Sequence, residues 1–352
     1  MSIAPLYFAF PGRLDTLTGG YHYDRQLIRE LRQLGLEVAT LSLSGRFPFA
    51  DDRALQEAGE TLSALPDSAL VIIDGLALGA FDETALAPVR AKRLRLVALC
   101  HHPLALESGL DPAQQRRFQR SEQRALQAAR AVLVTSAHTR RTLITQFAVP
   151  PERVTVARPG TTRVPFARCQ GQPPRLLAVA SLTRRKGHDV LINALAPLQH
   201  LPWQARFVGG REFDPAWSDE LQRQVNRLGL HSRIDFVGVV DETQGEFQRA
   251  DLFVLPSRYE GYGMVFAEAL AAGLPVVAAR AGAVPDVVPE SAGLLVPPDD
   301  VQALTAALHS LLAREELRRQ LQAGARLAAG TLPTWSDTAA CVARVIEDAA
   351  LL

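Results

Sequence analysis

The sequence predicts an α/β protein built from two doubly wound, mostly parallel-sheet domains. Three observations carry this. The chain has 352 residues, and about 150 residues per domain makes two the expected number. Short apolar runs alternate with segments of helical spacing, the signature of a parallel sheet flanked by helices. The alternation breaks at Gln170–Pro174 (QGQPP), a linker candidate, and then starts again. Residues 1–168 are therefore expected to form an N-terminal domain and residues 169–334 a C-terminal one, both Rossmann-like. The cleft between two facing domains of this kind is the default ligand site.

Pro5–Phe10 is the first expected strand, followed by the loop Pro11–Gly20. Tyr21–Leu34 carries Leu27, Ile28, Leu31 and Leu34 at the spacing of one helix face, and Gly35 ends it. Glu37–Leu43 is the next strand. Ala69–Asp74, Leu94–Cys100 and Ala131–Ser136 are apolar runs of the kind that parallel strands buried on both faces display. Beyond the break, strands are expected at Arg175–Ala180, Trp203–Val208, Ile234–Val237, Leu252–Pro256, Val276–Ala279 and Gly293–Val296. Helices are expected at Lys186–Ala196 and Glu220–Leu228. After the breaker Thr331–Pro333, Trp335–Leu352 has helical spacing, and a terminal helix of this kind is expected to pack back on the N-terminal domain.

Composition narrows the function. Lys and Arg total 38 against 37 Asp and Glu, a net charge of +1, so nothing global points to nucleic acid. The run Arg116, Arg117, Arg120, Arg124 and Arg130 is interrupted by Glu122 and reads as a solvated face. No apolar run reaches the ~18 residues that span a bilayer, and membrane contact is not indicated. The chain does not open on a basic stretch leading into an apolar core, so no secretory leader is expected. Cys100, Cys169 and Cys341 lie far apart without metal-ligand spacing. They are expected to be buried free thiols in a reducing, cytoplasmic setting. Of the 38 basic residues only Lys92 and Lys186 are lysine, so Lys186 marks a place where arginine does not serve, unless the choice is chance.

The segment Tyr259–Val277 (YEGYGMVFAEALAAGLPVV) is the most informative. Glu260 follows a strand in a Gly-rich turn, and Glu268 stands eight residues on, roughly two turns into the next helix. The turn presents backbone N–H groups at a helix N-terminus, where anions and polar oxygens are favoured. A partly buried Glu268 requires hydrogen-bond donors, and sugar or ribose hydroxyls supply them. The structural alternative is a capping Glu260 with a solvated Glu268.

This segment, continued by Gly282–Val288 and Ala292–Val296, resembles the donor domain of GT-B glycosyltransferases of family 4. The resemblance implies two facing Rossmann-like domains and a retaining, nucleotide-sugar-dependent transfer. It implies that Glu260 lies near the donor sugar hydroxyls and that Glu268 binds the ribose. It also implies that backbone groups of Gly261, Tyr262, Gly263, Met264 and Val265 contact the donor.

Other motifs fit beside it. Arg184, Arg185 and Lys186 precede Gly187-His188 after a strand. Cations at a helix N-terminus oppose the dipole, so they suit a diphosphate better than the helix; a solvated turn is the alternative. The family places an arginine and a lysine on the diphosphate. Lys186 matches, whereas the family arginine sits five or six residues earlier, where this chain has Ala180 and Ser181. Either Arg184 or Arg185 then supplies the second cation, or the diphosphate is held differently. His101 and His102 follow a strand, the end at which α/β folds place functional groups. The resemblance aligns His101 with a histidine at the donor sugar and reaction centre, His102 being the second choice, and zinc binding by the pair lacks further ligands. Gly19 and Gly20 lie between the first strand and its helix, where backbone can approach a ligand; a plain tight turn is the alternative. The pattern is not G-x-G-x-x-G, which disfavours an NAD oxidoreductase. Gly238 ends a strand whose loop holds the nucleobase in relatives.

The expected reaction moves a hexosyl group from a nucleoside-diphosphate sugar to an acceptor hydroxyl, with His101, Lys186 and Glu260 at the chemistry. Family frequency favours UDP over GDP. No cofactor and no metal are expected, since no Asp-x-Asp pair is present. A small soluble acceptor is slightly favoured. A nucleotide-sugar epimerase, a sugar phosphorylase and a non-catalytic nucleotide-sugar binder are the alternatives.

Overall fold

The computed structural model describes residues 5–107 and 109–351. The chain divides into two compact units: one runs to Gly160 and resumes at Pro333, and the other is Thr161–Leu332.

The first unit holds β1 (Leu6–Pro11), β2 (Val38–Leu43), β3 (Leu70–Asp74), β4 (Arg95–Cys100), β5 (Ala131–Val134) and β6 (Val154–Val156). All pair in parallel, in the order β2-β1-β3-β4-β5-β6. Val71, Ile72 and Ile73 of β3 and Leu96, Val97 and Leu99 of β4 are fully buried, because helices cover both faces of such a sheet. The first helix, Gly19–Gln33, buries Tyr23, Asp24, Leu27, Ile28 and Leu31 along one face. β6 was not expected from the sequence. It is three residues long and follows Pro150-Pro151, too short to show a period.

The terminal helix Trp335–Leu351 belongs to this first unit. It buries Trp335, Ala339, Val342, Ile346 and Ala349. Trp335 meets His22 and Tyr23 edge-on, with ring centroids 5.7 and 5.6 Å apart. The Thr338 hydroxyl donates to the Arg158 carbonyl at 2.7 Å.

The second unit holds β7 (Arg175–Val179), β8 (Gln204–Val208), β9 (Ile234–Gly238), β10 (Leu252–Leu255), β11 (Val276–Ala279) and β12 (Gly293–Val296). Its order is β12-β11-β10-β7-β8-β9, again parallel throughout. The second unit starts at Thr161, earlier than the expected boundary, because residues 161–174 are already bound into it. Ala167 N donates to Ala272 O at 2.8 Å, and Ala167 is buried in this core. Gln170–Pro174 is not a free linker: the buried Asp251 carboxylate accepts from Gly171 N at 2.8 Å and from Arg175 N at 2.7 Å.

Three local expectations are corrected. No single helix spans Lys186–Ala196. Arg184–Lys186 is a 3-10 turn, Gly187 is left-handed at φ 70°, and the helix is His188–Leu195. Gly19 and Gly20 are not loop residues but the first residues of the helix capped at Thr18. Glu268 lies one turn, not two, into the helix Met264–Ala271. Among the described residues no helix is long and apolar enough to cross a membrane.

Candidate functional site

In an open parallel sheet, ligands bind outside the carboxyl ends of the strands where the strand order reverses. In the second unit that point lies between β7 and β10, which are neighbours in the sheet while their chains depart to opposite sides. The turn Arg184–Lys186 follows β7, and Glu260 follows β10. Lys186 Nζ donates to Glu260 Oε1 at 2.7 Å. Arg185 Nη1 donates to Tyr259 O at 3.0 Å and to Glu260 Oε2 at 3.3 Å. Glu260 is 4% exposed. Burial alone would raise its carboxyl, but Lys186 and then Arg185 hold it at about 2, so it is a carboxylate at neutral pH.

Arg184 points elsewhere, with Cζ 4.0 Å from the Trp217 ring centroid. Arg185, not Arg184, is therefore the arginine that the structure brings to Glu260. A residue missed by the sequence reading fixes this turn. Arg258 donates to both Asp189 oxygens at 3.0 and 2.7 Å, to Asp299 Oδ1 at 2.8 Å, and to the Arg184 carbonyl. Its own N–H donates to Arg185 O at 2.7 Å. Gly187 completes the junction, since a Cβ there would run into the Pro256 carbonyl.

The Gly-rich turn is shaped by similar constraints. Gly263 is left-handed at φ 84°, and a Cβ there would meet the Phe266 ring at 2.5 Å. Gly282, also left-handed, lies against the Glu260 backbone, and Ala283 N donates to Glu260 O at 2.9 Å. The Gly282–Val288 motif therefore holds Glu260 in place. Gly261, Tyr262, Gly263, Met264 and Val265 lead from Glu260 into the helix on which Glu268 sits. Glu268 is half-buried, and burial raises its carboxyl to about 7. Among the described residues no side chain or backbone group donates to that carboxylate. Gly238, left-handed at φ 81°, closes β9, and its carbonyl accepts from Gly209 N at 2.9 Å.

In the first unit the strand order reverses between β1 and β3. His101 follows β4, the neighbour of β3. Its Nε2 lies 3.0 Å from Asp24 Oδ1 and 3.2 Å from Asp74 Oδ2. Gly20 lies beside the ring: a Cβ there would stand 3.4 Å from His101 Cδ2. The structure thus brings Gly20 to His101, while Gly19 only opens the helix. His102 faces Glu107 instead, with Nε2 3.8 Å from its Oε2. The sequence reading missed Asp24 and Asp74. Asp24 carried a signal, since it shares the helix face of Leu27, Ile28 and Leu31, where a charge requires a partner. Glu122 is corrected too. It is buried, not solvated, and accepts from Leu104 N and Ala105 N at 2.8 and 3.0 Å. Arg116, Arg117, Arg120 and Arg124 are exposed. Cys100 is buried, Cys169 and Cys341 are half-buried, and all are free.

Residues 19–162 match the family described as Glycosyltransferase Family 4, and residues 173–314 match Glycosyl transferases group 1. A MMP alpha-(1->4)-mannosyltransferase of Mycolicibacterium hassiacum is 30% identical over 297 residues, covering 79% of this chain and 70% of that protein. A D-inositol 3-phosphate glycosyltransferase of Jonesia denitrificans is 32% identical over 250 residues, covering 64% of this chain but only 58% of that relative's length. Among solved structures, the sucrose-phosphate synthase of Thermosynechococcus elongatus superposes with a TM-score of 0.80 at 22% identity, covering 97% of this chain and 98% of that one. Anabaena HepE in complex with UDP gives 0.74 at 18% identity, covering 98% of this chain and 100% of that one. These likenesses identify the fold as GT-B.

Proposed function

The chain belongs to glycosyltransferase family 4, and we propose that it is a retaining, metal-independent hexosyltransferase acting on a nucleoside-diphosphate sugar. The observation that carries this reading is the bonding of Lys186 and Arg185 to Glu260 at the strand-order reversal of the second unit. Loss of a nucleoside diphosphate requires stabilisation of the negative charge that develops on its phosphates. Lys186 and Arg185 supply that charge from a turn braced by Arg258. Glu260, ionised at neutral pH, accepts hydrogen bonds from the donor sugar hydroxyls and orients the ring. Glu268 accepts from the ribose. Gly238 and the Gly261–Val265 backbone border the base and the sugar.

A UDP-sugar is the donor first considered, and a GDP-sugar the alternative. HepE has been solved with UDP and with UDP-glucose, whereas one relative from Mycolicibacterium smegmatis is named as GDP-mannose-dependent. The acceptor offers a hydroxyl and is taken to be small and soluble. Free thiols fit a reducing, cytoplasmic setting.

The test is turnover of UDP- and GDP-hexoses against a panel of hydroxyl acceptors, with and without a chelator. Proton NMR reads the anomeric configuration of the product. Retention with chelator-resistant turnover supports the proposal. An inverted product, a chelator-sensitive rate, or a product formed without acceptor would each sink the corresponding part of it.

A further inference from the structure

We propose that Asp24 and Asp74 are positioning residues that keep the His101 ring doubly protonated, making Nδ1 a fixed N–H donor and closing the ring to general-base work. The charge state of the ring does not depend on the function proposed above.

The geometry leads there directly. Two carboxylate oxygens, at 3.0 and 3.2 Å, flank the same ring nitrogen, Nε2. Both accept, so Nε2 carries a hydrogen. The carboxylates are buried, Asp24 at 0% and Asp74 at 4% exposure. Two negative charges side by side in a low-dielectric interior demand a compensating cation. Asp74 also caps the helix Gly75–Leu78, its Oδ1 accepting from Leu76 N at 2.8 Å. Asp24 Oδ2 has no hydrogen-bond partner among the described residues, so Asp24 is where a further proton resides when the cluster takes one up.

The other titratable groups around the ring do not supply the cation. The helix Gly19–Gln33 contributes Tyr21, whose hydroxyl donates to Pro11 O at 2.6 Å. It also contributes Tyr23, whose ring stands edge-on to His101 at 5.0 Å. Burial raises both phenols, so both stay neutral. Beside His101 on its own strand end, burial raises Cys100 as well. His102 is turned to Glu107. The proton therefore falls to His101. Burial opposes the imidazolium, but Asp24 and then Asp74 raise the ring to about 10.

A histidine backed by a carboxylate commonly acts as a general base. Here both ring nitrogens carry hydrogen, so His101 cannot take the acceptor's proton. Nδ1 makes no hydrogen bond among the described residues, and the side chain keeps 21% exposure.

Histidine side-chain nitrogen–proton NMR on the full chain, with the signal assigned through His101→Gln, tests this. In the wild type both nitrogens of His101 are expected to stay protonated up to about pH 8.5, and Asp24→Asn and Asp74→Asn each to lower the midpoint by about one pH unit or more. A wild-type midpoint near the ordinary value, or midpoints unmoved in both variants, overturns the proposal. If neither variant folds, the wild-type titration alone decides. Stoichiometric Zn2+ binding abolished by Asp24→Asn would also overturn it, because Nε2 would then be a ligand and not a proton carrier. Failure of every nucleotide to bind would overturn the proposed function and leave the ring's charge to the NMR titration.

Discussion

Lys186 Nζ bonds Glu260 Oε1 at 2.7 Å, joining the lysine of the turn after β7 to the carboxylate of the turn after β10. A diphosphate binding at Lys186 as proposed would have to share or displace that carboxylate, which would couple donor binding to the placement of Glu260. Breaking a buried pair from one side costs about 3–5 kcal/mol, because a lone charge is left behind. Glu260→Ala and Lys186→Met should each destabilise the second unit by that order, and the double variant by less than the sum. Urea denaturation measures it, and strict additivity would show that the pair is not coupled. The pair also sets an acid limit. Glu260 is held at about 2 against an ordinary 4.5. Its contribution is thus present above pH 4.5 and lost as pH falls towards 2.

Glu268 behaves in the opposite sense. Burial raises its carboxyl from 4.5 to about 7, so the folded protein favours the protonated form and this group's effect on stability becomes unfavourable as pH rises from 4.5 to 7. A ribose that donates to Glu268 favours the carboxylate. Nucleotide affinity should therefore rise between pH 5.5 and 7.5, with proton release that calorimetry in buffers of different ionisation enthalpy detects. In Glu268→Gln that slope should vanish and affinity should fall by roughly 1–3 kcal/mol. A slope that survives the substitution would rule out Glu268 as its source.

Gly187→Ala should damage the proposed donor site without touching any proposed contact. Its φ of 70° is strained for alanine, and a Cβ would press on the Pro256 carbonyl. A loss of about 1–3 kcal/mol is expected, together with weaker nucleotide binding. Gly20→Ala is the contrast. It lies in a helix, where alanine is favoured by about 0.5–1 kcal/mol, and its Cβ would rest at ordinary contact distance from His101. Thermal denaturation should separate the two, and equal melting temperatures would refute the argument.

Arg258→Lys should raise the KM for donor more than it lowers kcat. Lysine keeps a charge but cannot bond both Asp189 oxygens, Asp299 and the Arg184 carbonyl together. The Arg184–Lys186 turn loosens while Lys186 itself is intact. Steady-state kinetics over donor concentration checks this; an unchanged KM would remove Arg258 from the site.

Most of the strands were legible because each is an apolar run bounded by breakers, and a strand buried on both faces leaves that mark in any context. Their ends moved by a residue or two. The E-x7-E segment was legible because its glycines and glutamates are close in sequence. Asp74, Asp189 and Arg258 were not, for none lies in a pattern that names its partner.

The sequence by itself determined two parallel α/β sheets, the family, and the short-range motifs around Lys186, Glu260 and Glu268. Local spacing encodes the sheets and the motifs, and the family follows from the resemblance those motifs carry. Only the tertiary structure decided that Arg185 and not Arg184 meets Glu260, that Gln170–Pro174 is bound to Asp251, and that His101 stands between Asp24 and Asp74. The members of that last cluster are 77 residues apart in one pairing, and the sheet order, not the spacing, makes them neighbours. Charges in such a buried cluster take their protonation from one another, which no single segment of the chain contains.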